Sequence, residues 1–180
     1  MLFNYFNAIL SRPFALLSNN LRKMKNPNLE KDILSWINSV SKLRPELNGH
    51  AICPFAAKSK YLIVECCAEK IKPVKGYDVI IYAIENHFSL EEVQKWVEHH
   101  NKIHAKWKFF EDCSSNITYI NGIQTSNSNY NLILGQPTQK LRKFREKLAK
   151  TDYYDLWNEE YLKEILQDDV DILKNRDVTP

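Results

Sequence analysis

The order of hydrophobic patterns along the chain predicts an α+β fold. It is a four-stranded mixed or antiparallel sheet covered by helices, mainly on one face, and broadly ferredoxin-like. Three observations lead there. Four short apolar or β-branched segments have strand character, at about 61–66, 77–84, 108–112 and 131–134. Longer stretches with three- and four-residue apolar spacing lie between and around them, which is the signature of helices interleaved with one sheet. The 44% hydrophobic and 26% charged content is an ordinary globular balance that excludes disorder.

The first helix is expected over about 29–43, because Ile33, Trp36, Ile37, Val40 and Leu43 form one apolar stripe. Pro45 ends it. An irregular segment follows to residue 60. Tyr61 to Cys66 reads as a strand, and Pro73 and Gly76 mark a connection. Tyr77 to Ile84 is nearly all apolar, so it should be a central strand buried on both faces. Ser89 and Glu92 have capping-box spacing, in which hydroxyl and carboxylate each satisfy an orphan backbone donor, and open a helix to about Trp107. Lys108 to Asp112 is the third strand. Residues 113–129 are polar and loop-like, with a turn at Tyr119-Ile-Asn-Gly122. Asn131 to Leu134 is the fourth strand, closed by Gly135 and Pro137. Helices at about 138–150 and 154–167 complete the series.

The chain divides into a basic extension (1–27), an α+β core (28–150) and an acidic helical segment (151–180). The extension carries Arg12, Arg22, Lys23 and Lys25, and no acid precedes Glu30. Residues 1–23 are therefore a candidate organelle-targeting segment. The longest apolar stretch, within Tyr77 to Ile84, is far short of a membrane span, so no transmembrane segment is expected. Cys53, Cys66, Cys67 and Cys113 fit no disulfide framework and read as reduced thiols, which places the chain in the cytoplasm. The net charge of +3 is too small to imply a nucleic-acid partner. The four glycines form no phosphate-cradling loop, so nucleotide fingerprints are absent.

Three groups of residues could carry chemistry. In Gly49-His50-Ala51-Ile52-Cys53-Pro54-Phe55-Ala56, a helix starting at Pro54 would set Cys53 at its N-cap. Unpaired amides and the helix dipole would then lower the thiol pKa, with His50 as base, giving a nucleophilic or redox cysteine. The plain alternative is a small buried hydrophobe beside Ile52 and Phe55. His100 and His104 are four residues apart on the capped helix and share one face, so they are candidate ligands for a transition-metal cofactor. Core-edge hydrogen bonding is the alternative there.

The third group is the basic run Lys140, Arg142, Lys143, Arg145, Lys147 and Lys150, set against the single acid Glu146. The nine acids among residues 151–180 offer it partners within the chain, which argues against nucleic acid. These features leave open a thiol- or metal-dependent enzyme centred on Cys53, a non-catalytic accessory subunit with a protein partner, and a nucleic-acid-binding module.

Trp36, Leu47-Asn48, Cys53-Pro54-Phe55-Ala56, the strand from Tyr61 to Glu65 and Tyr130-Asn-Leu-Ile-Leu134 occur in an order that resembles the Cys-Pro-Phe-Ala family of small bacterial proteins, the DUF1415 type. The resemblance covers about residues 28–150. It implies a compact α+β fold, draws attention to Cys53 and supplies no activity.

Overall fold

The computed structural model describes residues 26–159 together with 162, 163, 166, 169, 171 and 172. The basic extension before residue 26, with its targeting reading, lies outside the described residues, as does most of the chain after 159.

Helix α1 (Leu29–Val40) leads to strand β1 (Tyr61–Glu65) through a 3-10 turn at Pro45–Leu47 and another at Ala56–Lys58. Strand β2 (Val79–Ile84), helix α2 (Leu90–Ile103) and strand β3 (Trp107–Asp112) follow. A small hairpin, β4 (Tyr119–Ile120) and β5 (Ile123–Gln124), precedes β6 (Asn131–Pro137) and helix α3 (Thr138–Leu148). The hairpin turns on Asn121 and Gly122, both at positive φ, the Asn-Gly pair such tight turns favour.

Four strands form one mixed sheet in the order β1-β2-β6-β3. β1 runs parallel to β2, while β6 is antiparallel to both β2 and β3. The predicted α+β class and four-stranded mixed sheet are therefore present. The finer ferredoxin-like arrangement is not. β2, α2 and β3 do make a split unit with β6 inserted between the strands, but β1 joins as a parallel edge through a helix-free connection, apart from a 3-10 turn at Ala68–Lys70.

The helices also cover both faces. Side chains alternate along a strand, so β2 serves two cores at once. Ile80, Tyr82 and Ile84 pack with Val93 and Val97 of α2 and with Phe109 and Ile133. Val79, Ile81 and Ala83 pack with Ile33, Ile37 and Val40 of α1 and with Leu132. All six β2 residues are buried, as a continuous apolar run in a central strand requires. α3 lies on the α1 face, where Phe144 stacks on Phe55 at 4.2 Å and Arg145 sits over the Phe110 ring.

Local chemistry sets the ends of the elements. Ser89 and Glu92 form the expected capping box at the start of α2. That helix stops at Ile103, short of the predicted Trp107, because Trp107 pairs with Pro137 as the first residue of β3. β6 runs three residues past Leu134 for the same reason: Gly135, Gln136 and Pro137 pair with β3. At its start, the buried Asn131 side chain accepts from Ser114 N and donates to Glu85 O and Phe88 O, joining the loop after β3 to the β2–α2 loop. In the predicted last helix, residues 152–156 form a 3-10 turn, and the helical bond from Leu162 N to Asn158 O lies beyond it. Among the described residues no helix is long and apolar enough to cross a membrane.

Candidate functional site

A cleft of about 360 Å³ opens on the α1 face, between α1, the ends of β3 and β6, and the segment 151–157. Every wall has a local origin. Trp36 and Val40 project from α1, and the Trp36 indole donates to Thr125 O at 3.0 Å, tying the helix to the loop after β5. Phe110 and Asp112 occupy alternate positions on β3 and so face the same side. Cys53 comes from the segment before the Ala56–Lys58 turn. Tyr153 and Trp157 close the far side, with the Tyr153 hydroxyl donating to Ile52 O. Mostly aromatic and apolar walls with a few polar groups aimed inward are the usual make-up of a small-ligand site.

Asp112 is the most perturbed carboxyl in the cleft. Burial pushes its pKa up to about 7, the Glu111 charge adds to that, and the Asn127 amide pulls the other way. Both Asp112 oxygens accept from Asn127 N at 3.1 Å, so the group also anchors the loop before β6. A carboxyl that titrates near neutrality can both take and return a proton. The sequence offered little to single it out: one acid at the end of a predicted strand, before a polar loop.

Cys53 lines the cleft, but its surroundings differ from the expected ones. The segment makes a 3-10 turn whose N-cap is Phe55, rather than a helix starting at Pro54. The Cys53 backbone is fixed by its own amide donating to Val40 O at 2.8 Å and by its carbonyl accepting from Ala56 N. Crowding pushes the thiol up from its ordinary pKa, while the amides of Phe55 and Ala56 pull it down. The residue is nevertheless exposed by surface area. Solvent contact limits the size of that upward push. That direction is opposite to the one an activated nucleophile needs.

His50 is engaged elsewhere. Its Nε2 lies 2.6 Å from Asp152 Oδ1, and its ring meets Tyr153 edge-on. The imidazole holds down the Asp152 pKa and pins the 151–157 segment. No hydrogen bond joins His50 to Cys53 among the described residues.

His100 and His104 lie across the sheet from Cys53. His100 belongs to the α2 core, whereas Cys53 borders the α1 core through Ala56 and Ile52. The sheet therefore separates the predicted thiol from the predicted metal ligands. His100 is buried, with Nε2 2.9 Å from Ala68 O.

A cluster that was not anticipated lies at the carboxyl ends of β1 and β2. One donor atom each from Cys67, Glu69 and Glu85 falls within 4.8 Å of the others. Cys67 and Glu85 line a crevice of about 560 Å³. A hydrogen bond to Glu85 raises the Cys67 pKa. These residues are scattered over 67–85, and no spacing rule connects them. Their meeting follows from β1 and β2 running parallel and ending together.

Three of the six basic residues of the 140–150 run pair with acids of the same chain. Lys140 pairs with Asp78, Arg142 with Glu146, Asp169 and Asp171, and Arg145 with Asp169. No family model, no curated protein and no solved structure matches this chain.

Proposed function

We propose that the chain is a small-molecule acid–base protein whose working site is the cleft beneath α1. Asp112 takes up and returns a proton there. Trp36, Tyr153 and Trp157 provide surfaces for a flat, largely apolar ligand that presents a hydrogen-bond donor to the carboxyl. The observation that carries this reading is a half-buried carboxyl, shifted to about 7, facing an aromatic-walled cleft of ligand size. Cys53 acts in it as a neutral thiol contact on the wall, because its pKa is pushed up rather than down. Engagement of Arg142 and Arg145 by acids of the same chain leaves the nucleic-acid reading with less to stand on.

The test is a screen of small aromatic compounds carrying a donor group, followed by nuclear magnetic resonance on the full chain. Hits should perturb the Trp36 and Trp157 indole signals. Calorimetry in buffers of different ionisation heat should show proton exchange on binding near pH 7, and Asp112→Asn should abolish that exchange while keeping the fold. Hits that bind outside the cleft, or inside it with no proton exchanged by the parent protein, would sink the proposal.

A further inference from the structure

His100 and His104 have unmet hydrogen-bonding capacity that their packing does not explain. They are one turn apart on α2, with rings parallel within 4° and centroids 5.8 Å apart. His100 is only 1% exposed. Its Nε2 faces Ala68 O at 2.9 Å, and a carbonyl can only accept, so the proton resides on Nε2 and Nδ1 keeps its lone pair. That Nδ1 is buried with no hydrogen-bond partner, and so is Nε2 of His104. Leaving a buried polar atom without a partner is costly, so two on neighbouring rings call for a shared occupant.

The pair already has the features of a ligating site. Metal-bound histidines usually donate their second N–H to a carbonyl or carboxylate, which fixes the ring, and His100 does so to Ala68.

We propose that Nδ1 of His100 and Nε2 of His104 hold one monovalent copper ion. The choice of ion follows from charge and ligand number. Both donors are imidazole nitrogens, which bring no negative charge, and no third His, Cys, Asp or Glu joins them in a three-donor cluster among the described residues. Burying a charge is costly, and the cost rises with the square of that charge, so a dication held by neutral ligands alone is disfavoured. Zinc also demands about four ligands. Copper accepts imidazole readily, and its monovalent form is satisfied by two nitrogen donors.

The test uses the full chain labelled with ¹⁵N, titrated without oxygen with monovalent copper supplied as its acetonitrile complex. Thiolates compete for this ion, so the titration is run on the parent chain and on a Cys53→Ser, Cys67→Ser variant. In the variant, the His100 Nδ1 and His104 Nε2 signals should move together and saturate at one equivalent. The His50, His87 and His99 signals should stay in place. His104→Leu, added to that variant, should weaken binding by about 100-fold or more while circular dichroism confirms the fold. The proposal is overturned if the two imidazole signals stay still, if copper binds equally well after His104→Leu, or if the site vanishes in the cysteine variant.

Discussion

The α2 face and the α1 face of the sheet bury the same kinds of residue, yet one is sealed and the other is open. On the first, a 14-residue helix with a capping box lies over Ile80, Tyr82, Phe109 and Ile133, with Ala68, Ile71 and Tyr77 of the preceding connection completing the cover. On the second, cover is pieced together from α1, two 3-10 turns, α3 and the 151–157 segment. α1 has no side-chain cap at Asn28. The joints between these pieces leave the cleft. One long helix excludes solvent efficiently, whereas several short elements leave concave space that a ligand can use.

Neighbouring residues on β3 offer the strongest way to break this contrast, because Phe109 faces α2 and Phe110 faces the cleft. Phe109 is 1% exposed, so Phe109→Ala should cost about 3–5 kcal/mol in urea unfolding. Phe110→Ala should cost no more than about half of that, since its space already opens to solvent. Equal losses would mean that the open face is as tightly packed as the sealed one.

A smaller effect comes from Asp112. Its folded pKa, about 7, lies above the unfolded value near 3.9. The folded state therefore binds the proton more tightly, and this group's contribution to stability falls as pH rises from about 4 to about 7, then levels off. Asp112→Asn removes that slope. Its single carbonyl oxygen can still accept from Asn127 N. Unfolding midpoints should match the parent near pH 4 and exceed it at pH 8, by a difference on the order of 2 kcal/mol. A variant no more stable than the parent at pH 8 would show that the carboxyl is better solvated than its burial implies.

The smallest effect concerns the lid of the sealed face. Ser89→Ala removes the hydroxyl that accepts from Glu92 N and should cost about 1 kcal/mol. Hydrogen exchange should speed up mainly in the first turn of α2. Faster exchange across both faces would mean that the two cores are not separate units.

The fold was legible where one element has one pattern. Six apolar residues in β2, the capping box of α2 and the stripe of α1 each translated directly into an element. Sheet order was not legible, because nothing in the spacing of 131–137 says that this strand enters between two earlier ones. Of the hairpin at 119–124 the turn was legible and the strands were not. Its strands are two residues each, and only the Asn121-Gly122 turn signals them.

The site followed the same division. Cys53 and the His100/His104 pair stand out by local sequence, and the structure puts them on opposite sides of the sheet. Asp112 carries no local signature. Its environment is built by Asn127, Trp36 and Tyr153, which are remote in sequence.

Strand β6 occupies the middle of the sheet although it is the last of the four to be made. On a ribosome, β2 and β3 emerge with a gap one strand wide between them, and each presents an unpaired edge. The gap closes only when residues 131–137 clear the exit tunnel. Until then the edges of β2 and β3 that pair with β6 lack that partner, and unpaired edges of this kind are where one chain can join another.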